Sequence, residues 1–134
     1  MGLIPYLGDF SKLKKYGTIL EVAYKSHKHH IIPKAVYKQF ADLKSLMARD
    51  GKMNLIDLPV GFHGNHPAYN KWIENKLLMH TNGRLTYDAI LQVQKEAVVE
   101  IEKAYKAWIN QGSMPSANMN EHFKALLKKT KNEH

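Results

Sequence analysis

"SHKHHIIP", residues 26–33, sets three histidines into four positions and then runs into two isoleucines and a proline. The residues leading into it, TILEVAYKS (18–26), are rich in Ile, Val and Tyr, so a strand is expected between residues 20 and 32. Successive side chains on a strand point to opposite faces. His29 and His30 therefore cannot serve one purpose in one direction. A split pair is the natural reading: one imidazole ligates a metal and the other handles a proton. A metal site, a proton-transfer site and a plain basic loop all remain open at this point.

Working outward, PKAVYKQFADLKSLMARDGK (33–52) reads as a helix, with Pro33 in its first turn and Val36, Phe40, Leu43 and Met47 at three- and four-residue steps. Gly51 is expected to end it. NLIDLPV (54–60) reads as a short strand stopped by Pro59 and Gly61, followed by the loop GFHGNH. Pro67 opens a second helix, PAYNKWIENKLLMH, with Gly83 just past its end. The strongest helical pattern is LTYDAILQVQKEAVVEIEKAYKAWINQG (85–112), in which Ile90, Val93, Ala97, Ile101, Ala104 and Trp108 form one apolar stripe. SMPSAN is a linker, and MNEHFKALLKK a final helix with a basic tail. Residues 1–17 form a loose lead-in. The expected class is α+β, mostly helical, in a single domain spanning 1–134.

The chain contains no cysteine, which excludes disulfides, a Cys-type zinc finger and thiol catalysis. Any metal must sit on His, Asn or carboxylate ligands. No run of about 18 apolar residues exists to span a membrane, and the N-terminus lacks the basic start and long apolar stretch of a signal peptide. The expected location is the cytoplasm, or beyond it by an export route that reads no such peptide. The net charge is +8, and residues 1–52 hold ten Lys/Arg against four Asp/Glu. The basic excess thus lies in the half that carries the histidine cluster, where it would attract nucleic acid, anionic membrane or an acidic protein.

The chemistry-bearing residues gather at element ends. His29 and His30 lie on the first strand, Asn54 begins the second, and His63, His66 and Asn70 surround the start of the helix at Pro67. His66 and Asn70 are four apart and share a face, a spacing that suits two ligands to one ion. Imidazole titrates near neutrality and is the natural base for activating water. Histidine nitrogens favour Zn and other first-row divalent ions, while an Asn carbonyl tolerates Mg. Plainer roles stand beside these: Asn54 as a turn residue, Asn70 as an exposed helix residue, His63 as a loop histidine. His27, His80, His122 and His134 read as solvated, Tyr69 and Trp72 as core, and Lys128, Lys129 and Lys131 as a solvated tail.

Taken together, HHIIP, NLIDLP and HGNHPAYNKWI resemble the AHH nuclease family of the HNH/endonuclease VII (His-Me finger) superfamily, over about residues 18–80. Members are often C-terminal toxin domains of secreted bacterial polymorphic toxins. The resemblance implies a small ββα-metal (His-Me) finger with additional packed α-helices, residues from about 85 onward carrying no shared motif. It makes His29 a metal ligand, His30 the general base, Asn54 the residue that orients the base, and His66 a metal ligand. Asn70 falls where related nucleases place a further ligand, and His63 matches the extra histidine of the HGxH pattern, as ligand or phosphate contact. Lys28 stands where the family has Ala, and the paired cysteines of many superfamily members are absent. The implied activity is a metal-dependent, largely sequence-non-specific DNA endonuclease using one divalent ion (Mg, Mn or Zn). The implied setting is an antibacterial toxin, part of a larger secreted chain, with an acidic immunity protein as partner. The competing expectations are a non-enzymatic nucleic-acid-binding module with a structural zinc, and a ribonuclease.

Overall fold

The computed structural model describes residues 26–81 and 84–132. The lead-in 1–17, the upstream part of the expected first strand, Gly83 and His134 lie outside them. The described part is α+β and mostly helical, with one two-stranded antiparallel sheet.

Strand β1 (Ser26–His30) pairs with β2 (Leu55–Pro59) in a register that sets His29 opposite Ile56 and His30 opposite Leu55. Directly opposed residues share a face, and the faces differ sharply. Lys28 and Asp57 meet in solvent at 3.4 Å, whereas His29, Ile56 and Leu58 are buried. A two-stranded ribbon is marginal by itself, so the helices must cover the inner face.

The expected helix over 33–52 is broken in two: α1 (Lys34–Gln39) and α2 (Leu43–Leu46) flank Phe40, whose backbone is extended. The cause is tertiary. The Tyr37 hydroxyl donates to the carbonyl of Met47 at 2.8 Å, but ten residues of continuous helix would separate these residues by about 15 Å. The chain folds back, and Val36, Leu43 and Met47 still reach the core. Gly51 accordingly ends no helix. Its backbone is extended, and it starts a tight turn, Lys52–Asn54, so Asn54 precedes β2 rather than opening it.

The expected loop at 61–66 also differs. Val60–His63 forms a helical turn, α3, closed by Gly64 at φ 48°. Such a backbone suits glycine, which has no Cβ to clash. Helix α4 (Pro67–Thr81) agrees with the expectation for 67–80. Helix α5 (Tyr87–Asn110) carries the expected stripe, every member of it buried. Thr86 caps its start, accepting from the Ala89 N–H at 3.1 Å. Helix α6 (Met119–Asn132) runs past the expected end of the final helix at 129, and a short turn, Pro115–Ala117, interrupts the linker before it.

Helices α4, α5 and α6 pack together, and α3 joins their core through Phe62, whose ring lies 5.3 Å from Tyr105 and 5.5 Å from Trp108. Phe123 of α6 fills the gap between Tyr69 and Trp72 of α4, which are core residues as expected. Asn120 accepts from the Ala68 N–H at 3.0 Å, satisfying one of the free donors at the start of α4. The helical part thus clamps the start of α4, the place where His66 and Asn70 sit. Among the described residues no helix is long and apolar enough to cross a membrane.

Candidate metal centre

The inward face of β1 delivers His29, fully buried, to the point where α3 ends and α4 begins. His63 arrives from α3 and His66 from the residue preceding α4. One nitrogen from each of these three imidazoles lies within 4.8 Å of the others, close enough for all three to bind one metal ion. His29 Nδ1 and His63 Nε2 are 3.0 Å apart. The ring centres of His29 and His66 are 5.0 Å apart, and those of His63 and His66 are 4.7 Å apart.

Tyr69 forms the floor. Its ring lies 4.6 Å from His29, and its hydroxyl donates to the Ile31 carbonyl at 2.6 Å, fixing α4 against the chain that leaves β1. Burial holds the Tyr69 hydroxyl protonated, with its pKa well above the ordinary value. His66 Nδ1 lies 3.0 Å from Asn70 Oδ1, an acceptor that fixes the proton on Nδ1 and leaves Nε2 as a bare lone pair. Asn70 thus stands behind His66, steering its ring. At the rim, His27 is exposed as expected, yet its Nδ1 lies 3.3 Å from His63 Nδ1.

Burial is the main reason that these imidazoles stay neutral. It pushes His29 well below its ordinary pKa, with repulsion from His66, His63 and His30 adding to it. Burial and the neighbouring histidines bring His63 down to about 4, and burial also lowers His66. Neutral imidazole is the form that binds a metal. His29 Nε2 is moreover buried with no hydrogen-bond partner among the described residues. When the His29 proton sits on Nδ1, Nε2 carries a lone pair that no group among the described residues uses. A buried polar atom without a partner costs about 1–3 kcal/mol, and a cation bound there would remove that cost. The donor set fits a divalent ion.

These shifts make acid destabilising. In the unfolded chain His63 takes up its proton near pH 6.5, whereas the native side chain does so only near 4. Between those values the unfolded state binds more protons, so stability present above 6.5 is lost progressively as pH falls toward 4. The thermal unfolding midpoint of the metal-free protein should drop across this window, and drop less in His63→Gln. A midpoint flat from pH 7 to 4.5 would contradict the burial of the cluster.

The outward face of the same strand is different. His30 Nε2 lies 2.7 Å from Asp50 Oδ1, and Arg49 holds both carboxylate oxygens at 3.3 and 3.0 Å. The Arg49 hydrogen bond, followed by that to His30, lowers the Asp50 carboxyl to about 2. An ionised carboxylate only accepts, so Nε2 of His30 carries the proton and Nδ1 is the free acceptor. Asp50 has no signal in the sequence, since it sits in MARDGK, which reads only as a helix end.

Asn54 is buried and works through backbone. Its amide nitrogen donates to the Ile32 and Arg49 carbonyls at 3.0 and 2.9 Å, and its oxygen accepts from the Ile32 N–H at 2.7 Å and Gln94 Nε2 at 3.1 Å. These bonds tie the chain just after His30 to the segment that presents Asp50. The group on the His30 ring is therefore Asp50, and Asn54 sets the distance between the two. His80 is exposed as expected and bonds Glu96, while His122, expected in solvent, is half-buried and bonds Glu100, each at 2.9 Å along the polar edge of α5.

The structure thus gathers His29, His63 and His66 on one side of β1, with Asn70 behind them, and sets His30 with Asp50 on the other. No family model, no curated protein and no solved structure matches the chain.

Proposed function

We propose that this chain is a metal-dependent, largely sequence-non-specific DNA endonuclease of the ββα-metal (His-Me finger) type, with additional packed helices. The observation that carries the reading is the division of labour at two adjacent residues. His29, itself buried, joins two half-buried imidazoles, while His30 is held by a carboxylate on the opposite face. The strand and helix order β1, β2, α4 and the resemblance of HHIIP, NLIDLP and HGNHPAYNKWI support it.

A divalent ion on His29, His63 and His66 would supply Lewis-acid stabilisation of the charge that develops on the phosphate oxygens. The chain's own residues do the rest. Asp50 keeps the proton on His30 Nε2, so Nδ1 can accept the proton of a water that attacks phosphorus. The bond from phosphorus to the leaving sugar oxygen breaks, and that oxygen takes a proton from solvent. Asn54 holds the His30 and Asp50 segments at bonding distance, and Asn70 keeps the His66 lone pair aimed at the cluster. An all-imidazole set favours Zn over Mg or Mn. The resemblance further places the activity in an antibacterial toxin, restrained in its producer by an immunity protein with an acidic face against the basic half.

Supercoiled plasmid is expected to be nicked in Mn or Zn, to survive in EDTA, and to be nicked again when the ion is restored. A folded protein that leaves both DNA and RNA intact in Mg, Mn and Zn would end the enzymatic reading and leave a nucleic-acid-binding module with a structural zinc. Cleavage of RNA alone would reassign the substrate.

A further inference from the structure

We propose that the cleft between α1 and α2 is a second phosphate subsite, which holds the DNA backbone beside the scissile bond on the side away from the imidazole cluster. The inference rests on the nuclease reading and adds the path of the substrate. The cleft has a volume of about 670 Å³, and its wall includes Lys34, Tyr37, Lys38, Lys44, Arg49 and Asp50. Four cations therefore face one carboxylate, and that carboxylate is already held by Arg49 and His30.

Lys34 and Lys38 stand one helical turn apart, a like-charge spacing that weakens an isolated helix by a few tenths of a kcal/mol. Lysines in the longer helices have glutamate partners at that spacing, as in Lys71–Glu74, Lys103–Glu100, Lys106–Glu102 and Lys124–Glu121. Among the described residues Lys34, Lys38 and Lys44 have no ion-pair partner, and all three are exposed. Arg49 spends Nε and one terminal nitrogen on Asp50, which leaves its other terminal nitrogen for an anion. The Tyr37 hydroxyl is committed to Met47, so its ring is what it offers the cleft, a surface against which a sugar or base can pack.

Position selects the ligand. Asp50 lines the cleft and also holds His30, so the basic wall begins at the proposed general base. A strand whose scissile phosphate reaches His30 continues past Asp50 into the lysines. A ligand with phosphates at regular intervals offers an anion to each of Lys34, Lys38 and Lys44 along one wall of the cleft. Such contacts position the backbone without reading sequence, in keeping with a non-specific enzyme.

The test is binding of a fluorescent DNA duplex in EDTA, across a range of salt, together with plasmid nicking in Mn. Lys34→Glu/Lys38→Glu is compared with Lys128→Glu/Lys129→Glu, an equal charge change on exposed positions of α6. The cleft variant is expected to bind about tenfold more weakly and to lose roughly two units of log–log salt slope, near 0.9 for each phosphate contact. The α6 variant should stay close to wild type, and an RNA duplex should show the same contrast, since the backbone is the ligand. Equal weakening in both variants would reduce the cleft to general charge and overturn the proposal. So would unchanged binding by the cleft variant, which would leave the cleft to a partner other than nucleic acid, or a wild type that binds no DNA. The two readings fail separately. Wild-type nicking with unaffected binding in the cleft variant removes only the subsite. Binding lost in the cleft variant, with no nicking by wild type, removes only the catalysis.

Discussion

His30→Ala should slow plasmid nicking by about 10²–10⁴-fold, the usual contribution of a positioned general base, while the protein keeps its fold and its affinity for zinc. The separation is possible because of where the side chain stands. His30 is on the outward face of β1 and contributes nothing to the imidazole set, and its side chain keeps 19% exposure. Its removal strands no buried partner, since Asp50 is solvent-exposed and still held by Arg49. Zinc binding by calorimetry and the unfolding midpoint should therefore match wild type. Asp50→Ala should also slow nicking, by a smaller factor, because the carboxylate that selects the His30 tautomer is gone while the base remains. Unchanged nicking in His30→Ala would move the base elsewhere and strip Asp50 of its assigned part. Loss of nicking together with loss of zinc would mean that His30 serves the metal, and the split between the two faces would fail.

Asn54→Ala is expected to be the most damaging change to stability, lowering the free energy of unfolding by about 3–5 kcal/mol. Asn54 is fully buried and makes four side-chain hydrogen bonds, to both backbone groups of Ile32, to the Arg49 carbonyl and to Gln94. Truncation leaves those partners in a closed interior, each with a desolvation cost of about 1–3 kcal/mol that is only partly additive. Urea unfolding at pH 7 reads the loss directly as a shift in midpoint. A cost below about 1 kcal/mol would mean that water takes over the amide's bonds. At temperatures where the variant is folded, nicking should still fall, because the distance between His30 and Asp50 is set by the bonds that Asn54 makes.

These two residues also mark where reading along the chain succeeds and where it stops. The split between His29 and His30 follows from strand alternation alone, and the structure buries one imidazole completely and leaves the other half-buried on the opposite face. Helix α4 follows from its start at Pro67, and helix α5 from the apolar stripe of Ile90 to Trp108. The break within 33–52 does not, because Val36, Phe40, Leu43 and Met47 have helical spacing whether the chain runs straight or folds back. The Tyr37–Met47 bond favours the fold-back, and it joins residues ten apart, too far for a helical period to register. His63 was open between ligand and loop for a similar reason. Its place depends on α3 forming where Gly and His suggested only a loop.

The sequence by itself therefore determined the class of the fold, the long helices, the divergence of the histidine pair to opposite faces, and the residue types from which a metal centre could be built. Those are properties of neighbours within one or two turns, where backbone geometry converts spacing into direction. Tertiary structure alone decided that His29, His63 and His66 converge, that Asn70 steers His66, and that Asp50 is the partner of His30. Each of these needs the β1–β2 ribbon to be packed against α3 and α4. That packing is set by the burial of Ile31, Phe62, Tyr69 and Trp108 in one shared core, not by any local pattern in the histidine-bearing segments.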